Sequence, residues 1–213
     1  MRMRKKPWAM PYIEENSNIA ILDPKVNKGK WKNLLNKDEI NLEIGFGKGS
    51  YINNMSKIHS NEGWIGVEKD VNAAAVGIKT CIDDGIRDNL LMIVNDAGNI
   101  REWFEDKEVS KIYLNFSDPW PKKSHTKRRL TSETFINQYI SILKDNGQII
   151  MKTDNSSLFE FSLLTFLKFN FMLEYINVDY RRDLQDDPIT EYEQRFIDKQ
   201  NPIYKFIITK QGA

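Results

Sequence analysis

Asp118 stands within Asn115-Phe116-Ser117-Asp118-Pro119-Trp120-Pro121, and the run Lys122-Lys123-Ser124-His125-Thr126-Lys127-Arg128-Arg129 follows directly. Proline has no N–H and a fixed φ, so Pro119 and Pro121 end any ladder and admit no helix. Asp118 is therefore expected on a stiff turn. The apolar residues ahead of it (Ile112, Tyr113, Leu114) read as a buried strand, and strand ends are where α/β proteins place their ligands. Residues 121–129 hold five Lys/Arg and no acid. Trp120 reads equally as a core aromatic or as a face on which an unpaired base can stack, a contact of roughly 1–3 kcal/mol. A rigid carboxylate, a planar ring and a cationic strip suit a site that grips a polyanion by its phosphates and works on one of its bases.

A second group of chemical residues lies upstream. Glu43-Ile44-Gly45-Phe46-Gly47-Lys48-Gly49 has the glycines of a ligand-approaching loop. It departs from the dinucleotide pattern, because its third glycine comes one residue early and Ser50 stands in its place. Glu68 ends a second apolar run, where a carboxylate accepts hydrogen bonds from both hydroxyls of a ribose. Asn95-Asp96 ends a third, where an acid accepts from the exocyclic amine of adenine. Each acid alone equally fits a helix cap, and the glycines alone fit a tight turn. Together they describe a ligand with an adenosine half and a cationic amino-acid half, and S-adenosylmethionine has both.

The elements that must position these residues follow from hydrophobic period. From Ile40 onward, short apolar runs alternate with helical patterns, as in a parallel sheet with crossover helices. Strands are expected over 40–44, 64–68, 90–94, 111–116, 148–152, 171–180 and 203–209. Helices are expected at 50–58, through Ala73 to Ile82, along the stripe Phe135, Ile136, Tyr139, Ile140 and Leu143, and over 158–169. Gly147 is expected to cap the third of these helices. Residues 181–202 carry many charges, two prolines and little core material, and read as a long functional loop. Asp154, just past the fifth strand, reads on its own as a cap for the helix after it.

Composition narrows the class. At 213 residues the chain is long enough for a substantial core, read as one domain over 36–213 behind a basic N-terminal extension, 1–35. Net charge is only +1, yet residues 1–32 hold eight Lys/Arg against three acids. One cysteine and two histidines leave no set for a structural zinc, so no metal is expected. No run approaches the roughly 18–20 apolar residues of a membrane span. The basic start lacks the apolar core of a signal peptide, and the lone Cys81 fits a reducing cytoplasm.

The chain resembles the bacterial tRNA (guanine-N7-)-methyltransferase family along essentially its whole length. The likeness rests on Leu42 to Gly49, on Phe116 to Lys123 with Lys127-Arg128-Arg129, on Thr190-Glu191-Tyr192-Glu193, and on Arg4-Lys5-Lys6-Pro7-Trp8. It implies a Rossmann-like class I methyltransferase fold with seven strands, mostly parallel, the last antiparallel, and helices on both faces. It also implies S-adenosylmethionine as cofactor and tRNA as partner, with a variable-loop guanosine as target in a monomeric or homodimeric, membrane-free enzyme. By the same resemblance Glu43, Gly45, Gly47, Glu68, Asp96 and Asp118 hold the cofactor, and Asp118 also serves catalysis. Lys122, Asp154, Thr190, Glu191, Tyr192 and Glu193 hold the substrate, and residues 124–129 touch RNA. Ser117 departs from a proline common in the family, and Ser124 and Thr126 from residues often basic. Two other readings remain at this point. One is methylation of an exocyclic amine, from the likeness of Asp118-Pro119-Trp120 to Asp-Pro-Pro-aromatic segments. The other is an RNA-binding module without activity.

Overall fold

The computed structural model describes residues 4–183 and 185–212, and the side chain of Glu191 lies outside the description. Of the expected basic N-terminal segment, residues 1–3 fall outside it, Arg2 among them. The chain forms two compact units, Met1–Glu105 and Asp106–Ala213.

In the first unit, helix α1 (Ala9–Glu15) leads into strand β1 (Ala20–Ile21), helix α2 (Trp31–Leu35) and strand β2 (Ile40–Ile44). Helix α3 (Ser50–Ile58), strand β3 (Gly63–Glu68), helix α4 (Val71–Asp83) and strand β4 (Leu90–Val94) complete it. The strands lie in the order β1-β4-β3-β2, and each neighbouring pair is parallel. Every residue of β2 is buried, as a parallel strand covered on both faces requires. The register sets Ile44 beside Val67 and Glu68 beside Val94, so these strands end side by side. Strand β1 raises the strand count to eight against the seven expected. Two residues are too short to show any alternation, so no period marks them.

Residues 6–35 pack onto this unit. Ile13, Ile19 and Trp31 are fully buried, and the Trp31 indole N–H donates to the Trp103 carbonyl at 2.8 Å. The Lys6 N–H donates to Asn72 Oδ1 at 2.7 Å, tying the N-terminal segment to the start of α4.

The second unit holds strand β5 (Val109–Asn115), helix α5 (Glu133–Ile142), strand β6 (Leu143–Thr153), helix α6 (Ser156–Phe166), strand β7 (Phe171–Asn177), helix α7 (Glu191–Ile197) and strand β8 (Tyr204–Lys210). Its strand order is β5-β6-β8-β7. Strands β5 and β6 run parallel, and β8 is antiparallel to both its neighbours. The antiparallel last strand is as expected. On α6, Phe159 packs its ring tilted and Phe166 edge-on against Phe206 of β8, giving this half its apolar centre.

Two local expectations fail for identifiable reasons. Helix α5 ends at Ile142, and Leu143 already belongs to β6, so Gly147 caps no helix. Asn146 takes the left-handed conformation there (φ 61°). A Cβ on Gly147 would lie 2.8 Å from the Lys144 carbonyl oxygen, so close packing explains this glycine. Residues 181–202 are not all loop, for they contain α7. Its signal was the Thr190-x-x-Glu193 capping box, hidden among charges.

Candidate active site

The loop after β2 is built for close approach. Gly45 (φ 89°) and Gly47 (φ 57°) both adopt conformations that side chains rarely take, and nothing lies within 4 Å of where a Cβ on either would stand. Gly49 (φ 79°) has a different task. A Cβ there would meet Gly77 Cα at 2.9 Å, so its bareness lets the start of α3 lie against α4. The loop is therefore open on one side and tightly backed on the other.

Three carboxylates stand at or just past the ends of the adjacent strands β2, β3 and β4. Glu43 is buried near the end of β2, 2% exposed. Glu68, at the end of β3, accepts from the Gly47 N–H at 3.1 Å and the Asp70 N–H at 2.9 Å. Burial raises its carboxyl above the usual carboxylate range, against the pull of those hydrogen bonds. Asp70 meanwhile caps α4, accepting from the amides of Asn72 and Ala73, which leaves Glu68 to the loop. Asp96, after β4, accepts from the Gly98 N–H at 2.9 Å and keeps an exposed oxygen 3.9 Å from Lys69. An open glycine cradle with acids at three adjacent strand ends fits both halves of S-adenosylmethionine, hydroxyl and ammonium donors to carboxylate acceptors.

In the second unit β5 delivers the Asp118 turn. Phe116 (φ 51°) and Trp120 (φ 41°) bracket it in the left-handed region, which costs of order 1–3 kcal/mol each for residues with side chains. Something must hold them there, and two contacts do. Phe116 packs its ring on Phe196 and Tyr192 of α7, at 6.2 Å and 5.7 Å between centroids. Arg129 is turned inward. Its Nε donates to the Pro119 carbonyl at 2.9 Å and its Nη2 to the Trp120 carbonyl at 3.2 Å, with the guanidinium over the Phe161 ring. Arg129 is only 8% exposed, so its guanidinium braces the turn and faces away from solvent. The Asp118 carboxylate at the apex is exposed and has no hydrogen bond or ion pair among the described residues.

The basic strip folds as a short 3-10 turn over residues 123–128. Lys122, Lys123, Ser124, Lys127 and Arg128 are exposed, while His125 and Thr126 are partly covered. Arg128 lies over the Trp120 ring at 5.0 Å and His125 meets that ring edge-on. Trp120 is thus half-buried between the Arg128 guanidinium and the His125 ring. Asp154 is not spent on capping α6, because Asn155 accepts from the Leu158 N–H at 2.8 Å. Burial raises the Asp154 carboxyl.

Thr190 and Glu193 form the capping box of α7, the Glu193 N–H donating to Thr190 Oγ1 at 2.8 Å. Glu193 is fully buried, and its carboxylate also meets Lys152 Nζ at 3.0 Å and Arg181 Nε at 2.6 Å. Tyr192 is exposed beside Phe116, and the Glu191 side chain lies outside the described residues. Lys152 and Arg181 were missed by sequence reasoning. The available signal was a lysine inside the otherwise apolar run of β6.

A glycine cradle between adjacent parallel strands, acids at three strand ends and an antiparallel final strand define the fold of class I methyltransferases. Solved structures agree. An O-methyltransferase of Thermotoga maritima described as SAM-dependent superposes with TM-score 0.56 at 16% identity, covering 97% of this chain and 72% of that one. An antibiotic-related methyltransferase reaches 0.61 at 12% identity, covering 90% and 96%. The methyltransferase family model Methyltransf_4 matches residues 37–206. A tRNA (guanine-N(7)-)-methyltransferase of Oceanobacillus iheyensis is 44% identical over 208 residues, 96% of this chain and 97% of the relative. Its counterpart in Listeria monocytogenes is 41% identical over 207 residues, 96% of each. The chain belongs to the tRNA (guanine-N(7)-)-methyltransferase family.

Proposed function

We propose that this enzyme transfers a methyl group from S-adenosylmethionine to N7 of a guanosine in the variable loop of tRNA. The observation that carries the reading is the exposed Asp118 on its braced turn, joined in one chain to the Glu43, Glu68 and Asp96 cradle. Identity of 41% and 44% over nearly the full length to relatives named for this activity supports it over exocyclic-amine methylation or RNA binding alone.

Glu43, Gly45, Gly47, Glu68 and Asp96 hold the cofactor, which supplies a methyl group on a positively charged sulfur. Guanine N7 carries an in-plane lone pair and no proton, so the chain needs no general base. Its work is alignment, and good orientation lowers a barrier by roughly 7–11 kcal/mol. Asp118 accepts hydrogen bonds from the guanine edge, helped by Asp154 and the Thr190–Glu193 segment. Lys122, Ser124, His125, Thr126, Lys127 and Arg128 meet the tRNA backbone and loop, with Arg129 setting the turn from behind. No helix among the described residues is long and apolar enough to cross a membrane. We place the enzyme in the cytoplasm, where its tRNA is.

The deciding experiment incubates the protein with methyl-labelled S-adenosylmethionine and unmodified tRNA, then locates the label by nucleoside mass spectrometry. N7-methylguanosine is expected, and a methylated exocyclic amine would overturn the reading. Asp118→Ala should lower turnover roughly a hundredfold, as loss of alignment does, with the fold intact.

A further inference from the structure

Lys152 stands at the centre of a buried charge cluster in the second unit. Its side chain is wholly buried within β6, and its Nζ lies 2.8 Å from Asp187 and 3.0 Å from Glu193. Arg181 pairs with the same two carboxylates, at 3.0 Å to Asp187 and 2.6 Å to Glu193. Tyr180 donates its hydroxyl to Asp187 at 2.8 Å and accepts from Lys205 Nζ at 2.7 Å. Burial alone would raise Asp187, yet Lys152 and its neighbours hold it below the usual carboxylate range.

The backbone of the same residue reaches the other side of the site. The Phe116 N–H donates to the Lys152 carbonyl at 2.8 Å, and Phe116 lies two residues before Asp118. Phe116 in turn packs on Tyr192 and Phe196, one residue before and three after Glu193. Lys152 thus closes a loop of contacts, with its carbonyl on Phe116, its ammonium on Glu193, and ring packing between the two. A buried ion pair often contributes little net stability over apolar residues of equal volume, so a geometric role for Lys152 rests on the two segments that it contacts.

We propose that Lys152, with Arg181, is a positioning residue that sets the Asp118 turn and the Thr190–Glu193 segment relative to each other for guanosine methylation. Both cations are engaged with Asp187 and Glu193, so each acts through those carboxylates. Glu193 acts through this pairing, its buried carboxylate anchoring α7 so that Thr190 and Tyr192 face the acceptor base. The inference rests on the methyl-transfer reading above.

The test compares wild type, Lys152→Met, Lys152→Arg and Arg181→Gln in labelled methyl transfer to tRNA. Turnover is normalised to S-adenosylmethionine-binding sites counted by titration, so that any unfolded fraction drops out. Lys152→Met and Arg181→Gln should each lose at least about tenfold in kcat per site, as misalignment does. Cofactor affinity and the KM for tRNA should hold, and Lys152→Arg should recover much of the loss. A merely structural role would lower the melting temperature and leave kcat per site at the wild-type value, which overturns the inference. Wild type failing to methylate tRNA would instead refute the functional reading itself.

Discussion

Arg129 Nε and the Pro119 carbonyl oxygen are joined by a 2.9 Å hydrogen bond, which fastens the last cation of the basic strip to the turn that carries Asp118. Arg129 and its neighbour Arg128 therefore differ in role although they differ by one position. One braces the site and the other faces solvent.

Arg129→Ala should destabilise the protein by about 2–3 kcal/mol, since it leaves two carbonyls without a charged donor, and should lower turnover with it. Lys127→Ala and Arg128→Ala should leave urea midpoints unchanged. Each should instead reduce the slope of log Kd for tRNA against log salt by about 0.7–0.9, one phosphate contact apiece. Denaturation curves and salt titrations on the three variants separate the roles.

The cradle glycines should divide in the same manner. Gly49→Ala combines a left-handed backbone with a Cβ 2.9 Å from Gly77 Cα, and overpacking of that kind costs roughly 1–3 kcal/mol beyond the strain. Gly47→Ala bears only the left-handed penalty, about 1–2 kcal/mol, because its Cβ meets nothing. Its methyl group points into the open side of the loop, so cofactor affinity should fall more than its modest loss of melting temperature implies. Calorimetric titration beside thermal melts checks both.

Glu68→Gln should keep the fold at neutral pH and weaken S-adenosylmethionine binding about 10- to 100-fold, the loss of hydrogen bonds to a charged acceptor. The sign for stability runs the other way. Burial holds the folded carboxyl above its unfolded value, so its charging as pH rises through that window disfavours the fold, and Gln removes this dependence. Urea midpoints from pH 4 upward would reveal it.

Lys205 lies against the Tyr180 ring at 3.9 Å, and burial brings its ammonium down to about 8. Its folded value is below the unfolded one, so the unfolded chain binds the extra proton between the two. Stability from this group should therefore rise with pH from about 8 toward the ordinary lysine range and be lowest below it. Lys205→Met should flatten that rise, measured as urea midpoints at pH 7.5 and 9.5. The buried Cys81 thiol, pushed up to about 12 by burial, should stay unreactive to a disulfide reagent at pH 8 and titrate as one thiol after unfolding.

Hydrophobic period and residue chemistry alone determined the alternation of strands and helices, the acids at strand ends and the rigid Asp118 turn. The signals for those features are local, since a strand's apolar pattern is written in its own residues and a proline acts on its own backbone. The tertiary structure alone decided that Arg129 points inward, that Asn155 and not Asp154 caps α6, and that Glu193 is buried against Lys152 and Arg181. A charged residue reads alike in sequence whether it faces water or a partner some forty positions away. Only the folded chain brings the partner, because the cost of burying a charge is offset by contacts that sequence distance conceals.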